Sequence, residues 1–379
     1  MKKVLVITGT RADYGIYYPI LKAMESDIEI NLQLLVTGMH LSPQYGHTIE
    51  YILQDGFEIV AQVDCILQNS THANMAKGLG LAILGMTQAF ETINPDCILI
   101  LGDRSEMLAA ASVAAYMNIP IFHLHGGEVS GTIDDSVRHA ISKLAHIHLA
   151  ATENSSERLL RMGEEEWRVH IVGAPRIETI RNTLLLNKDE VKVKYQLHSD
   201  NSYFLFIYHP VTTEQMNLEQ IKQILNLLLD QQNDVICVMP NADAGSDQII
   251  ELYQTFTTRT NFYPVTSFEQ TDYLAILKEA VALVGNSSSG IIEAASFQIP
   301  VINIGSRQEG RERSENVIDI DENVKQLAQA LEYINMNDFR NKLSTISNVY
   351  EQPNTSKHII ELLKRFNKSD NLIQKRITF

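Results

Sequence analysis

The chain has 379 residues, 45% of them hydrophobic and 20% charged. That is too long for one ordinary domain and suits two globular domains that need no covalent staples. The formal net charge of −15 excludes a general nucleic-acid or anionic-membrane surface, although a few arginines and helix ends can still form a local anion pocket.

Short β-branched runs alternate with amphipathic ones along the whole chain. The first series of expected strands is "VLVIT" (4–8), "NLQLLVTG" (31–38), "CILILG" (97–102), "IPIFHL" (119–124), "IHLAAT" (147–152) and "VHIVG" (169–173). Helical patterns fall between them at 16–26, 73–93, 105–117, 135–145 and 154–162. After a less regular stretch near 174–200, a second series follows. It comprises "YFLFIYHP" (203–210), a helix at 214–231, "DVICVMP" (234–240), "NFYPV" (261–265), "AVALVGN" (280–286), a helix from 289, "IPVINIG" (299–305) and "NVIDI" (316–320). Continuously apolar strands separated by helices indicate parallel sheets buried on both faces, here used twice with a hinge near 174–185. No stretch is long and apolar enough to cross a bilayer, and the opening "MKKVLVITGT" is too short for a secretory apolar region. Cys65, Cys97 and Cys237 lack paired spacing, so buried thiols in a cytoplasmic protein are expected.

In open parallel sheets, ligands collect at the carboxyl ends of the strands, where helix N-termini point at them. In "TGTRADYG" (8–15), Arg11 and the amides that follow, Ala12 first, suit a phosphate or a sugar; an ordinary strand-to-helix turn with an exposed arginine is the plain alternative. In "VGNSSSGIIEAA" (284–295), Ser287, Ser288 and Gly290 are the natural diphosphate contacts, and Glu293 is placed to accept from a ribose diol; simple N-capping needs only one of these serines. Neither stretch is a dinucleotide fingerprint or a P-loop. "GSRQEGRER" adds Arg307, Arg311 and Arg313 near the same rim, one of them expected to clamp phosphate.

Acid and base candidates come from other turns. Asp103 in "GDRSE" leaves an apolar strand and is either an acid/base or the N-cap of the next helix. In "HLHGGEVSGTIDDSVRH" (123–139), His123 and His125 alternate along one strand and so point to one face, with Glu128 nearby. A divalent metal is disfavoured because a third placed ligand is lacking. Asp134 and Asp135 sit at a helix start, where Asp134 can pair with Arg138 and Asp135 with His139 at i,i+4. His209 in "IYHPVTTE" ends the first strand of the second series and is either a site histidine or a buried structural one.

Together "TGTRADYG", "VTGMHLS", "GDR", "GGEVSGTIDDSVRHAISKLAHIHL", "HPVTT", "GNSSSG" and "GSRQEGR" resemble the hydrolysing UDP-N-acetylglucosamine 2-epimerases of sialic-acid-type sugar biosynthesis. The segments occur in order from residue 1 to about 313. Non-hydrolysing relatives typically read T-G-T-R-P and H-x-E-A-G-L-R where this chain has "TGTRAD" and "GGEVSGTIDD".

The resemblance implies a GT-B architecture of two Rossmann-like doubly wound domains facing across a cleft. These would be residues 1–175 and a nucleotide-binding 176–354, with a C-terminal helix at about 355–379 packing back on the first. It implies elimination of UDP across C1–C2 to a 2-acetamidoglucal, then hydration with inversion at C2, without metal or redox cofactor. By motif position Arg11, Asn241, Ser287, Ser288, Glu293 and Arg307 would hold UDP. Asp103, Asp134 and His209 would surround the sugar, with Arg104 and His123 close by. The expected partner is a UDP-sugar, and the expected assembly a homo-oligomer, dimer or tetramer.

One position departs from the family pattern. Members carry H-I-E-G-G-E, whereas this chain has "HLHGGE", with His125 where the first glutamate stands. His125 therefore joins Asp103, Asp134 and His209 as a candidate catalytic group. The resemblance implies UDP-N-acetylglucosamine as substrate and an N-acetylmannosamine-type sugar as product; the departure admits a modified sugar, UDP-N,N'-diacetylbacillosamine, as the alternative. A retaining GT-B glycosyltransferase and an inactive nucleotide-sugar-binding protein are the competing classes.

Overall fold

The computed structural model describes residues 1–69, 71–198 and 201–378. It divides into two compact units. The first takes Met1–Glu128, Ile133–Arg181 and the stretch from Tyr350 onward; the second takes Asn182–Val349 together with the short segment Val129–Thr132.

Among the described residues the first unit holds seven strands: β1 (Lys2–Thr8), β2 (Ile30–Thr37), β3 (Ile59–Val63), β4 (Cys97–Leu101), β5 (Ile121–Leu124), β6 (Ile147–Ala150) and β7 (Val169–Ile171). They form one parallel sheet in the order β3-β2-β1-β4-β5-β6-β7. The second unit holds β8 (Tyr203–Ile207), β9 (Asp234–Val238), β10 (Phe262–Val265), β11 (Leu283–Gly285), β12 (Val301–Ile304) and β13 (Val317–Ile320). These too are parallel, in the order β10-β9-β8-β11-β12-β13. In both sheets the winding reverses beside the first strand, between β1 and β4 and between β8 and β11, which is where doubly wound sheets open a crevice at their carboxyl ends.

Each sheet is covered on both faces. In the first unit, one apolar cluster gathers Val4, Val6, Leu34 and Leu99 against Tyr17, Ile20 and Leu21, and the other gathers Leu5, Ile7 and Ile98 against Met86, Phe90 and Ala110. The alternation along β1 explains why its run reads as continuously apolar: successive residues serve opposite cores. In the second unit Phe204, Phe206 and Val235 pack on one side and Tyr203, Leu205 and Ile236 on the other. Cys65, Cys97 and Cys237 are buried free thiols, and burial pushes Cys97 up to about 12.

Local departures from the sequence reading have local causes. The first helix runs Arg11–Glu25, not from residue 16, because Thr10 and Asp13 form a capping box that starts it immediately after β1. β3 has no counterpart among the expected strands: it is a sheet-edge strand in which Val63 alone is buried, so it lacks a continuous buried run. The helices Ser246–Gln254, Gln270–Glu279 and Val324–Tyr333 were also not anticipated.

The helix Thr355–Arg365 contributes Ile359, Ile360 and Leu363 to the core that contains Val4, Ile20 and Leu21. Behind it, Arg168 is buried and donates to the carbonyls of Leu372 and Asn371, each at 2.8 Å. The last residue of the expected C-terminal helix, Phe379, lies outside the described residues. No helix among those described is long and apolar enough to cross a membrane.

Candidate active site

In the first unit the carboxyl ends of β4 and β5 and the start of helix Ile133–Leu144 converge on one guanidinium. Arg138 is 1% exposed. It meets the Asp103 carboxylate through Nη2, donates from Nη1 to the Glu128 carbonyl at 3.2 Å, and lies 3.6 Å from Asp135 Oδ1. A buried arginine requires such an acceptor set, because its charge cannot be shed at any ordinary pH. Asp135 also faces His139 at 3.6 Å, the i,i+4 pair read from the sequence. Asp103 is not the N-cap of the following helix; Arg104 is, and it lies 3.4 Å from the buried Glu106. The capping alternative for Asp103 is thereby set aside. Asp134 lies in the first turn of the same helix as Arg138.

The two histidines of "HLH" do not share a strand face as expected. β5 ends at Leu124, and His125 turns into the left-handed region with φ 60. Gly127 continues the turn with φ 79, at a point where a Cβ would lie 2.3 Å from the Ser155 carbonyl. His123 is fully buried: its Nε2–H donates to the Gly102 carbonyl at 2.7 Å and its Nδ1 accepts from Ser142 Oγ at 3.2 Å. Burial lowers its pKa to about 3, so it stays neutral and holds the turn before Asp103 instead of presenting a free nitrogen. His125 is 4% exposed, and its Nδ1 lies 2.5 Å from Glu128 Oε1. Its Nε2 is buried with no hydrogen-bond partner among the described residues.

Arg11 and Ala12 open the first helix, Arg11 half-buried and Ala12 exposed. The Arg11 guanidinium lies 5.1 Å from the Tyr51 ring centroid and has no ion-pair partner among the described residues. Burial, then Arg176, lowers its pKa to about 10, which still leaves it cationic at neutral pH. A carboxylate-free arginine beside a helix N-terminus is suited to an anion.

In the second unit the carboxyl ends of β8 and β11 are pinned together by one side chain. Asn286, fully buried, accepts from the His209 amide at 2.7 Å and donates to the His209 carbonyl at 2.8 Å. His209 Nδ1 in turn accepts from the Asn241 amide at 3.2 Å, which puts the ring proton on Nε2 and makes that nitrogen a donor. The Asn286 carbonyl accepts from Arg307 Nη1 at 3.1 Å and from Gln308 at 2.9 Å, so His209, Asn241 and Arg307 are joined through one residue. The segment Val129–Thr132 ends on the same loop, with the Gly131 amide donating to the Arg307 carbonyl at 3.1 Å.

Ser287 caps the helix Ser288–Ile292, its Oγ accepting from the Ser289 amide at 3.3 Å. Ser288 is half-buried in the first turn. The Gly290 amide donates to the Ser287 carbonyl at 3.2 Å, and a Cβ there would lie 2.8 Å from Val301 Cγ1, so a glycine lets the helix pack closely on the sheet. Ser289 and Tyr273 were not read from the sequence: the Ser289 hydroxyl bonds both Tyr273 and the Glu293 carboxylate. Arg313 pairs with Asp319, and Arg311 donates to Gln308 at 2.9 Å. Among the described residues, no three His, Cys, Asp or Glu side chains come together as a metal-binding set.

The family model for UDP-N-acetylglucosamine 2-epimerase matches residues 22–364. The chain is similar to a hydrolysing UDP-N,N'-diacetylbacillosamine 2-epimerase of Legionella pneumophila, 41% identical over 377 residues and 99% of each chain. It is also similar to a UDP-N-acetylglucosamine 2-epimerase of Neisseria meningitidis, 37% identical over 334 residues, 88% of this chain and 87% of the relative. Among solved structures, the UDP co-structure of MnaA from S. aureus superposes over 100% of both chains with a TM-score of 0.81 at 21% identity, a likeness of fold in the GT-B class. The chain therefore belongs to the hydrolysing UDP-N-acetylglucosamine 2-epimerase family and is a hydrolysing 2-epimerase of a UDP-sugar.

Proposed function

We propose that the protein converts UDP-N,N'-diacetylbacillosamine to UDP and the C2-epimeric free sugar. The observation that carries this reading is full-length similarity, at 41% identity, to a relative named for that substrate. The substitution of His125 into the family's H-I-E-G-G-E stretch adds to it, because it changes a polar group in the part of the chain assigned to the sugar. A second reading, UDP-N-acetylglucosamine, is supported by the 37% identical Neisseria relative named for it.

In either case the chemistry assigned to these residues is the same. A base takes the C2 proton, the C2–H electron pair becomes the C1=C2 bond, and the C1–O bond breaks with its pair leaving on UDP. Water then supplies a hydroxyl to C1 and a proton to C2 from the opposite face. Ser287, Ser288, Asn241, Arg307 and the Nε2–H of His209 are assigned to the nucleotide diphosphate, with Arg11 as a further cation and Glu293, held by Ser289, on the ribose. This gives His209 a donor's part and leaves proton transfer to Asp103, Asp134 and His125. Arg104 and His123 shape the turns on either side. Parallel incubation with the two UDP-sugars, followed by phosphorus NMR of released UDP, tests the substrate. A kcat/KM for UDP-N-acetylglucosamine equal to or above that for the diacetylated sugar overturns the first reading.

A further inference from the structure

We infer that Glu128 is the positioning residue of His125, holding the imidazole in its Nδ1–H form so that Nε2 carries the lone pair that exchanges a proton with the sugar. This rests on the assignment of His125 to proton transfer.

His125 and Glu128 are 4% and 3% exposed, and Nδ1 to Oε1 is 2.5 Å, a charge-assisted contact between two groups taken out of water. A carboxylate can only accept, so the proton in that contact sits on Nδ1. The second nitrogen, Nε2, is buried and has no partner among the described residues. Leaving a polar ring atom in that state costs free energy, and buried polar groups are normally satisfied. An imidazole anchored at one nitrogen and bare at the other is the arrangement of a base oriented by a third group. It differs from His123, whose two nitrogens are both bound inside the fold, and from His209, whose Nδ1 accepts an amide and whose Nε2 therefore donates.

The backbone supports the same conclusion. His125 adopts φ 60, a conformation that costs a non-glycine residue energy and persists only where neighbours impose it. Its amide is fixed to the Leu149 carbonyl at 3.1 Å, and the Glu128 carbonyl is fixed to Arg138 at 3.2 Å. Both ends of the His125–Glu128 turn are thus tied to the sheet and to the guanidinium that also meets Asp103. A glutamate in place of His125 needs no such partner to present an oxygen. A histidine does, because its function depends on which nitrogen holds the proton.

Two measurements on the full-length protein test this. The first needs no turnover: two-bond proton–nitrogen correlation spectra of ring-labelled histidine, with His125→Ala for assignment, read the tautomer. The wild type is expected to show Nδ1–H at His125, Glu128→Ala to shift it to Nε2–H, and Glu128→Gln, whose amide oxygen still accepts, to keep Nδ1–H. The second is kinetic. Glu128→Ala should lower kcat on the order of tenfold or more while KM moves less than about threefold, and Glu128→Gln should recover most of kcat.

Wild-type His125 in the Nε2–H form overturns the assignment of Glu128. So does a Glu128→Gln protein that keeps Nδ1–H yet is as inactive as Glu128→Ala, since Glu128 would then itself move the proton. Should Glu128→Ala not fold, the wild-type spectrum and the near-isosteric Gln variant still decide the matter. The underlying assignment fails separately, if His125→Ala leaves kcat unchanged whatever the tautomer.

Discussion

Asn286→Ala is the substitution whose cost follows most directly from the structure. The side chain is 0% exposed and makes two bonds to the main chain of His209, 2.7 Å to its amide and 2.8 Å from its carbonyl. His209 itself is 7% exposed, so neither group recovers water when the amide is deleted. An unsatisfied buried polar group costs about 1–3 kcal/mol, which puts the pair at roughly 2–6 kcal/mol. The bonds that Arg307 and Gln308 make to Asn286 use its backbone carbonyl and survive the change. The loss should therefore fall on the β8–β11 junction first. Urea unfolding followed by far-UV circular dichroism measures the total, and hydrogen exchange of the His209 amide measures the local part, where 2 kcal/mol corresponds to about thirtyfold faster exchange. Asn286→Asp keeps the acceptor but sets a carboxylate against the His209 carbonyl, so it should be at least as costly. A loss under about 1 kcal/mol with His209 exchange unchanged would refute the clamp.

Other expectations follow from the same geometry. His40 and His123 have pKa values lowered to about 3, and His146 and His170 to about 4, in each case first by burial. The unfolded chain then binds protons below pH 6.5 that the fold refuses, so stability is full above that pH and falls as pH drops toward 4. The loss is about 1 kcal/mol per histidine between pH 7 and 5.5, and a flat stability profile over that range contradicts it. Gly127→Ala forces a side chain onto φ 79 and within 2.3 Å of the Ser155 carbonyl, so a fall of at least about 2 kcal/mol in unfolding free energy is expected, and a neutral result would mean the HGG turn is misassigned. Ser288→Ala should weaken UDP itself by about 1–2 kcal/mol, read by calorimetric titration; unchanged affinity leaves that serine only a place in the helix turn.

The elements legible in the sequence were those governed by local rules. Every strand except the edge strand β3 is legible as an apolar run, and the polar turns at the carboxyl ends of β1, β4, β8 and β11 stand out as candidate site segments. What escaped was set by distant contacts or by backbone angle. Asn286 and His209 are 77 positions apart, and nothing near either residue signals that one clamps the other. The alternation rule placed His125 beside His123, but it holds only while the strand lasts, and the chain leaves the β-region one residue earlier. Gly290 read as a phosphate contact because serines and a glycine at a helix start favour anions, and the proximity of Val301 gives it a packing duty invisible in the motif. Arg138 was noted for its neighbours on the helix, and its bond to Asp103 needed the β4 turn to be placed in space.

On the proposed reading UDP leaves by elimination across C1–C2, and the sugar is rehydrated with a new proton at C2. Turnover in D2O, with proton NMR or mass spectrometry of the released sugar, tests it most directly. Deuterium at C2 of every product molecule is the predicted result. A sugar released with its original C2 hydrogen, formed by simple hydrolysis or transfer at C1, would contradict it.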